Sequence, residues 1–244
     1  MTLWRQGLRA ALERLGYTVH RWPAHRFDGM RDALFLLRRA GYRPRVVIDA
    51  GAHTGAWTRL ARSAFPDASS FHLIEPQLGC HAALEALARR SAGFTLHRVA
   101  VTEPGVTRVC LIGAGTGARV AGPDDKATAV ECAAATLDAL LGDRIAREDR
   151  ALLKLDLEGH ELPALRGARR VLEASEVVVV EVQFFEIDGN GRPCFGDVHA
   201  FFRERGFELY DVACLSPRPR DLRLRLGDVI FARRDSGLLA DRSW

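Results

Sequence analysis

One pattern constrains the fold of this chain more than any other: from Arg45 onward, short β-rich runs alternate with helical stretches. Apolar and β-branched residues dominate five runs, at residues 46–50, 71–75, 94–101, 152–157 and 177–182. Apolar residues at helical spacing mark four stretches between and after them, at residues 57–64, 80–90, 161–173 and 197–205. This alternation predicts an α/β fold, in which right-handed crossovers place helices on both faces of a mostly parallel sheet.

The start of the chain differs from this alternating part. It carries two amphipathic helical patterns, at residues 3–15 and 28–40, and no β-rich run. We therefore expect residues 1–44 to form an N-terminal helical cap. The main domain is expected to span residues 45–234.

Two departures from the alternation occur later in the chain. Residues 106–133 hold two β-rich runs around a Gly-rich stretch, which predicts a β-hairpin inserted beside the sheet, where it could shape a substrate pocket. Residues 208–213 and 227–233 predict two strands that are antiparallel to one another and bring the sheet to seven strands. Residues 235–244 resemble a frayed C-terminal tail.

Composition narrows the classes of protein to which the chain can belong. Of its 244 residues, 48% are hydrophobic and 27% are charged, as in an ordinary globular protein. The net charge of +4 comes from arginines scattered beside acids rather than gathered in a stripe, so no nucleic-acid partner is expected. No apolar run approaches the roughly 20 residues that cross a bilayer, so no membrane partner is expected.

The cysteines and the N-terminus bear on the compartment. The five cysteines are odd in number and show no close pairing, so they suggest neither a disulfide framework nor a zinc site. Charged residues interrupt the apolar positions of the first 17 residues, which makes this segment a poor signal peptide. Together these features favour a reducing, cytoplasmic location.

A glycine-containing turn follows the first predicted strand. The segment VVIDAGAHTG places Asp49, Gly51 and Gly55 between a strand and a helix, the layout that cradles nucleotide cofactors. In a dinucleotide fingerprint that starts at Gly51, the second glycine would fall at His53, whose side chain obstructs a pyrophosphate. We expect a larger residue at Gly51 to fill cofactor space while the protein stays folded. Alternatively, both glycines serve only the turn.

A second acid ends the next strand. Glu75, in the segment HLIEP, lies where a carboxylate can accept hydrogen bonds from two ribose hydroxyls. Ligands of open α/β sheets bind at the carboxyl ends of strands, where both Asp49 and Glu75 are expected. The simpler alternative is that Glu75 is a solvated strand end.

A cluster of charged residues follows in the second half of the chain. The segment LLKLDLEGHELPALRGA places Lys154, Asp156 and Glu158 at alternating positions, so that their side chains project to one side of a strand. Buried carboxylates are costly unless they are paired or functional. A purely structural ion pair between Lys154 and Asp156 is the alternative to a functional role.

More titratable residues belong to the same predicted edge of the sheet. Gly159 precedes a helix that bears His160 and Glu161, and Glu181 lies near the end of the hydrophobic run VVVVEV. Adjacent parallel strands end at one edge, so these side chains should converge on one cleft.

Taken together, these segments resemble the FkbM family of methyltransferases. The matching pieces occur in the family's order over roughly residues 45–185: VVIDAGAHTG, IEP, RVAVTEP, TLDALL, KLDLEGHELPALRGA and VVVVEV. The resemblance implies a Rossmann-like class I methyltransferase fold. It also implies an S-adenosylmethionine-dependent O-methyltransferase that acts on a hydroxyl of a sugar or secondary metabolite, as in natural product biosynthesis. Residues 1–44 and the tail match nothing in the family, so we expect them to carry acceptor specificity.

The resemblance, with the local patterns, implies two sets of binding residues. In the first, Asp49 would help to hold the ammonium of S-adenosylmethionine, while Trp57 has core packing as its alternative role. Cofactor-binding residues are expected to be Asp49, Gly51, Ala52, His53, Gly55, Trp57, Glu75, Pro76, Ala100, Val101 and Asp156. Substrate-binding residues are expected to be Lys154, Glu158, Glu161 and Glu181.

The implied reaction is an in-line attack of a substrate hydroxyl on the methyl carbon of the sulfonium. The hydroxyl must lose its proton as the new bond forms, so a general base is expected within hydrogen-bond reach. Candidates for the base are Asp156, Glu158, His160 and Glu181. The acids could instead hold Mg²⁺ or another divalent cation, with Asp156 and Glu181 as ligands, and the sequence leaves both mechanisms open.

Several other functions stay open. A nicotinamide-dependent oxidoreductase shares the strand-turn-helix layout, although His53 argues against it. A methyltransferase that acts on nitrogen or on nucleic acid shares the fold, but no Asn/Asp-Pro-Pro-Tyr/Phe element for a flipped base is present. A noncatalytic binding module would keep the glycine turn, and assembly into a homo-oligomer is left open as well.

Overall fold

A computed structural model of the chain covers most of the main domain. It describes residues 11, 12, 15 and 26–243, apart from 91, 123, 124, 126, 127, 188–190, 219 and 242. All but three residues of the helix predicted over 3–15 therefore lie outside the described residues. Among the described ranges, no helix is long and apolar enough to cross a membrane.

Helices and strands alternate through the described ranges as the patterning predicts. The helices, in chain order, are α1 (Arg26–Arg39), α2 (Ala56–Ala64), α3 (Leu78–Arg89), α4 (Leu137–Leu141), α5 (Glu161–Arg166), α6 (Arg169–Ala174) and α7 (Phe195–Glu204). The strands are β1 (Val46–Ala50), β2 (Ser70–Ile74), β3 (Phe94–His97), β4 (Ala100–Val101), β5 (Arg108–Ile112), β6 (Arg119–Val120), β7 (Val130–Ala135), β8 (Ala151–Leu155), β9 (Ser175–Gln183), β10 (Phe207–Pro217) and β11 (Leu224–Arg233).

The main sheet has seven strands in the order β10-β11-β9-β8-β1-β2-β3. The five strands from β9 to β3 are parallel to one another, whereas β11 is antiparallel to both β9 and β10. The predicted Rossmann-like α/β fold is confirmed, as is the antiparallel pairing of the last two strands. Strands β1 and β8 lie in the middle of the sheet, so their carboxyl ends meet at its central cleft.

Helices cover both faces of this sheet, and each face packs into its own hydrophobic core. Successive residues of a strand point to opposite faces. On β1, Val47 belongs to the core under α1, α2 and α3, whereas Ile48 belongs to the core under α4 to α7. On β8, Leu152 and Leu153 divide in the same way. All five residues of each strand are buried, which explains why both strands are apolar apart from Asp49 and Lys154.

Two predicted elements differ from the observed ones. The run 94–101 is not one strand, because β3 ends at His97 and β4 joins a different sheet. The helix predicted over 161–173 is two helices that break at Gly167. A side chain there would place its Cβ 2.4 Å from the carbonyl oxygen of Thr102, so the chain passes too close to its neighbour for any residue but glycine.

The segment predicted as an inserted hairpin is larger than a hairpin. Strand β5 pairs antiparallel with both β7 and β6, and β7 pairs parallel with β4. The result is a second, four-stranded sheet in the order β4-β7-β5-β6. Near the C-terminus, residues 237–239 form a short 3-10 helix, and the buried Ser236 donates a hydrogen bond to Glu176 at 2.6 Å. This anchored stretch lies inside the segment expected to be a frayed tail.

Candidate functional site

A cavity of about 350 Å³, the first cavity, opens at the carboxyl ends of the central strands. Nine of the eleven residues expected to bind a cofactor line it: Gly51, Ala52, His53, Trp57, Glu75, Pro76, Ala100, Val101 and Asp156. Asp49 and Gly55 do not line it. In the main sheet, β2 contributes apolar lining on one side of β1, whereas β8 and β11 contribute charged side chains on its other side. Strands β4 and β5 of the second sheet add further apolar lining.

The turn after β1 depends on glycine for reasons of backbone geometry. Gly51 has a φ of 81° and Gly55 a φ of 79°, values that only glycine adopts at little cost. A Cβ added to Gly51 would lie 2.0 Å from the carbonyl oxygen of Asp156. The expectation that a larger residue there would only fill cofactor space is therefore wrong. Its side chain would first collide with the backbone that follows β8.

The turn also holds Glu75, a residue that is 2% exposed. One carboxylate oxygen accepts a hydrogen bond from the backbone N–H of His53 at 2.7 Å, and the other accepts one from the N–H of Gln77 at 2.9 Å. Each oxygen keeps a further lone pair. The carboxylate is thus fixed in place while it can still accept hydrogen bonds from ligand hydroxyls. His53 contributes its backbone N–H to this arrangement.

Asp49 lies beneath the cavity, paired with other side chains. It is 1% exposed, accepts a hydrogen bond from Thr58 Oγ1 at 2.5 Å, and lies 3.2 Å from the ammonium of Lys154. Burial raises the pKa of Asp49, although Lys154 and Thr58 act in the opposite direction. Asp49 therefore contributes to the site mainly by holding Lys154.

Lys154 connects several parts of the site. Its Nζ donates to the carbonyl oxygen of Gly51 at 2.8 Å and lies 3.5 Å from a carboxylate oxygen of Asp156. Burial lowers the pKa of Lys154, but the carboxylates of Asp49 and Asp156 outweigh burial and hold the pKa above its usual range. The ion pair between Lys154 and Asp156, which the sequence offered as a structural alternative, is present. Lys154 lines the cavity as well.

One acid of the first cavity is absent from the site residues that were predicted from the sequence. Asp228 on β11 is 4% exposed, lies opposite Glu181 in the strand register, and lines the first cavity. Strand alternation places Asp49, Lys154, Glu181 and Asp228 on the same face of four neighbouring strands. An acid directly before an apolar run was the available signal, since Asp228 precedes the run VIFA.

The loop after β8 has an unusual backbone that a buried acid supports. Glu158 has a φ of 53°, in the left-handed region that non-glycine residues rarely adopt, and Gly159 has a φ of 96°. Glu161 Oε1 accepts hydrogen bonds from the N–H groups of Leu157 at 2.7 Å and Gly159 at 3.2 Å. Burial raises the pKa of Glu161 to about 7 despite these bonds. Glu161 therefore holds the loop that carries Glu158.

A second cavity of about 830 Å³ adjoins the first. Glu158, His160, Arg119 and Val120 line both cavities and so mark where the two meet. Elsewhere the second cavity is mostly polar, and Glu161 and Glu181 contribute to it together with the other polar residues Asp125, Arg166, Gln183, Arg192 and Arg225. Two reactants bound in separate cavities could thus meet at Glu158 and His160.

His160 has the protonation state that a proton acceptor needs. Its Nε2 lies 3.0 Å from Thr102 Oγ1, and burial lowers the pKa of the imidazole. The neutral ring therefore predominates at neutral pH.

Three carboxylates converge near the same junction. One oxygen each of Asp156, Glu158 and Glu181 can be chosen so that all three lie within 4.8 Å of one another. Carboxylate oxygens are ligands that Mg²⁺ and Mn²⁺ prefer. The two ligands expected from the sequence, Asp156 and Glu181, thus lie together, with Glu158 as a third.

Part of the lining of the first cavity comes from the second sheet, whose segment 106–133 was expected from the sequence to lie beside the main sheet and shape a pocket. The side-chain amide of Gln77 donates to the carbonyl oxygen of Gly115 at 3.1 Å and accepts from its N–H at 3.0 Å. These reciprocal bonds fasten the Gly-rich segment over the first cavity, where Leu111 and Thr116 also line it. Met30 of α1 forms part of the lining on the far side.

Comparisons with known proteins identify a family for this chain. A family model described as the methyltransferase FkbM domain matches residues 49–209, more than half of the chain. This range contains the glycine turn, Glu75, the second sheet and the acids Asp156, Glu158 and Glu181, whereas Asp228 lies outside it. No curated protein sequence matches the chain.

Several solved structures have a similar backbone. A precorrin-6y C5,15-methyltransferase from Geobacter metallireducens is 12% identical, with 83% of this chain and 88% of that chain covered and a TM-score of 0.45. An O-methyltransferase family protein from Burkholderia thailandensis is 11% identical, with coverages of 96% and 60% and a TM-score of 0.46. An rRNA methylase from Streptococcus thermophilus is 11% identical, with coverages of 89% and 99% and a TM-score of 0.47.

Proposed function

The chain belongs to the FkbM methyltransferase family, and on this premise we propose that it is an S-adenosylmethionine-dependent O-methyltransferase that acts on a hydroxyl of a sugar or secondary metabolite. One observation carries the proposal: the first cavity, built around Glu75 and the glycine turn, meets a larger polar cavity at Glu158 and His160. A transferase with two substrates needs such a junction, because the donor methyl and the acceptor oxygen must be held in line.

The residues of the first cavity fit the methyl donor. The carboxylate of Glu75 suits the two ribose hydroxyls, and the apolar side chains of Ile74, Val99 and Val101 suit the adenine. Asp156 and Asp228 supply negative charge at the other end, where a cationic amino acid group would be favoured. When bound, S-adenosylmethionine supplies a methyl group on a positively charged sulfur.

The second cavity supports a polar acceptor. Its lining carries guanidinium, carboxylate and amide groups, which can hydrogen-bond the hydroxyls of a sugar or a polyhydroxylated metabolite. Of the four candidate bases, Glu158 and His160 lie at the junction of the cavities, Asp156 lines only the first, and Glu181 only the second. A base at the junction would take the proton of the acceptor hydroxyl as it attacks the methyl carbon. Lys154 and Glu161 were proposed from the sequence as acceptor ligands. Lys154 is hydrogen-bonded to the turn after β1, and Glu161 to the loop after β8.

A divalent cation is an alternative means of activating the hydroxyl. Asp156, Glu158 and Glu181 would hold it, and the ion would lower the pKa of a bound hydroxyl. Chelation separates the two mechanisms. Turnover that EDTA abolishes and Mg²⁺ or Mn²⁺ restores indicates a metal, whereas turnover that EDTA leaves unchanged indicates direct proton transfer to a side chain.

Calorimetry and an acceptor panel test the proposal. We expect one S-adenosylhomocysteine site per chain, and formation of S-adenosylhomocysteine from S-adenosylmethionine with at least one sugar or polyhydroxylated metabolite. NADH should not bind. Binding of NADH in place of S-adenosylhomocysteine would favour an oxidoreductase, and methylation of RNA, DNA or an amine alone would overturn the assigned acceptor. Cofactor binding with no turnover on any class of acceptor would favour a binding module.

A further inference from the structure

A hydrogen bond joins Thr102 to His160 beside the junction of the two cavities. Thr102 directly follows β4, is 1% exposed, and donates its backbone N–H to the carbonyl oxygen of Ala135 at 3.0 Å. Its hydroxyl oxygen Oγ1 lies 3.0 Å from Nε2 of His160. Among the residues that the structure describes, this ring nitrogen is the one hydrogen-bond partner of the hydroxyl. A buried hydroxyl is thus held against one nitrogen of the imidazole.

The burial of the hydroxyl decides which group donates. A threonine hydroxyl can donate or accept, whereas a neutral imidazole has one nitrogen that donates and one that accepts. If Nε2 of His160 were the donor, the hydrogen of the Thr102 hydroxyl would be buried without an acceptor, which destabilises a protein. The hydroxyl therefore donates to Nε2, and the neutral ring of His160 carries its proton on Nδ1.

Nδ1 is the nitrogen of this ring that a ligand can reach. It does not cap α5, the helix that follows, and it makes no hydrogen bond within the described part of the chain. It is not fully buried, in contrast to the unpaired Nδ1 of His81. His160 lines both cavities where they meet. The N–H of Nδ1 is therefore available at the place where the methyl donor and the acceptor are expected to meet.

We propose that Thr102 fixes His160 in the tautomer with its proton on Nδ1, so that His160 donates a hydrogen bond to the acceptor oxygen instead of taking a proton from it. The inference deepens the proposed function and rests on it, because it assumes a hydroxyl acceptor at the junction. Thr102 is then a positioning residue, and His160 orients the oxygen that attacks.

Two side chains then act on the acceptor hydroxyl. Its oxygen forms a bond to the methyl carbon while the bond from that carbon to sulfur breaks, and the electron pair of the broken bond stays on sulfur. The hydroxyl proton passes to the carboxylate of Glu158, the other candidate base at the junction. The N–H of His160 engages one lone pair of the oxygen and leaves the other directed at the methyl group.

Nuclear magnetic resonance of the ligand-free protein, labelled with ¹⁵N-histidine, tests the tautomer directly, because protonated and unprotonated ring nitrogens differ in chemical shift. We expect His160 to carry its proton on Nδ1 at neutral pH, and H160N identifies its signals by their loss. His81 is the internal control. Its Nε2 lies 2.9 Å from the carbonyl oxygen of Glu75, which can only accept, so His81 should show the opposite tautomer.

Kinetics with the acceptor identified in the panel test what the tautomer does. T102S keeps the hydroxyl and should retain the wild-type spectrum and turnover. T102V keeps the branched shape without the hydroxyl, so both tautomers should be populated. The KM for the acceptor should rise about tenfold, the effect of one lost hydrogen bond, while the affinity for S-adenosylhomocysteine stays unchanged. T107V, at an exposed position before β5, is the matched control and should behave as wild type.

Two substitutions of His160 separate a hydrogen-bond donor from a base. H160N keeps an N–H donor near the place of Nδ1 but cannot take up a proton, whereas H160A removes both properties. H160N should therefore retain clearly more turnover than H160A. Equal loss in the two variants would overturn the donor role and favour His160 as the base.

The remaining outcomes also decide the matter. A wild-type His160 with its proton on Nε2 would overturn the proposal while the proposed function stands, and so would an unchanged acceptor KM in folded T102V. If T102V does not fold, the wild-type spectrum and the comparison of H160N with H160A decide. Protein that neither binds S-adenosylhomocysteine nor methylates any hydroxyl would overturn the proposed function itself, whichever tautomer the spectrum shows.

Discussion

At the scale of single residues, the site works through side chains whose own partners hold them in position. Glu75 is fixed by two backbone N–H groups, and Lys154 by the carbonyl of Gly51 and the carboxylate of Asp49. Such fixed groups lose little conformational freedom when a ligand binds, so more of each hydrogen bond contributes to affinity. Removal of Lys154 would in addition leave the buried carboxylate of Asp49 without its counter-ion, so that substitution should also lower stability.

The first prediction concerns Glu75. Substitution E75A should weaken S-adenosylhomocysteine by about 1 to 3 kcal/mol, the usual range for hydrogen bonds to a charged group. Titration calorimetry measures the effect. Glu85 on α3 is a matched control, because its carboxylate is paired with Arg98 at the surface and E85A should not change affinity. Unchanged binding in E75A would show that Glu75 does not hold the ribose.

The second prediction concerns the acids after β8. Substitution E158Q should retain cofactor binding and reduce turnover by roughly 10² or more, the scale of general acid-base catalysis. Substitution D156N should reduce turnover and also weaken the cofactor, because Asp156 lines only the first cavity. Loss of His160 should reduce turnover less if a carboxylate is the base. E204Q, on the exposed end of α7, serves as a control that should leave turnover unchanged. Variants that unfold while their folded fraction stays fully active would instead favour the structural pairing with Lys154.

At the scale of elements, the close approach between strand ends limits which residues the turns can accommodate. The chain after β1 passes against the chain after β8, with Asp156 donating its N–H to Ala50 at 3.1 Å. The loop after β8 then turns through Glu158 and Gly159 with positive φ and rests on Glu161. Both turns are thus shaped by contacts with other elements.

Gly51 supplies the third prediction. Substitution G51A should lower the free energy of unfolding by more than about 1 kcal/mol, because of its positive φ and the collision with the Asp156 carbonyl. Gly79 on α3 has open space around it, so G79A should be neutral or slightly stabilising. Chemical denaturation measures both. Equal stability of wild type and G51A would contradict the close packing of these two strand ends.

The fourth prediction uses the pKa of Glu161, which burial raises from 4.5 to about 7. Below pH 4.5 both the folded and the unfolded state bind the proton, and above pH 7 neither does. Between these values the folded state binds more protons, so this group makes stability fall as pH rises, by about 3 kcal/mol in total. E161Q cannot ionise and should lack this fall. Parallel pH profiles of unfolding for wild type and E161Q would contradict the assignment.

At the scale of the whole molecule, the two cavities connect elements that are far apart in the sequence. The first cavity takes its lining from α1, from the central strands, from the second sheet and from β11. Helix α1 lies within the segment expected to form a helical cap, and its Met30, which is 2% exposed, covers part of the first cavity. We propose that the preceding residues extend this cover over the acceptor.

Deletion of residues 1–25 tests that proposal and is the fifth prediction. The truncated protein keeps α1, so it should bind S-adenosylhomocysteine with little change and lose much more of its acceptor turnover, because a cover positions the acceptor and excludes water. Calorimetry and an acceptor assay on the same preparation measure both quantities. Equal losses in a folded protein would indicate that the segment serves the cofactor instead.

Much of this protein follows from local patterns in its sequence. Local patterns predict three features: strand alternation, the apolar residues of β1 and β8, and the glycine turn. Each depends on residues that are neighbours in the sequence. Acids near the carboxyl ends of strands can likewise be assigned to one edge, because parallel strands end together. The fold class, the family resemblance and part of the lining of the first cavity therefore follow from the sequence alone.

How those residues are paired, and which other residues join them, depends on tertiary packing. Lys154 meets Gly51 across 103 positions of sequence, and Gln77 meets Gly115 across 38. Contacts at such separations depend on how the elements pack, and the local periodicity of the sequence does not predict that packing. For that reason the burial of Asp49 beneath the cavity, the presence of Asp228 in its lining, and the break at Gly167 became visible only once the strands and helices were placed side by side.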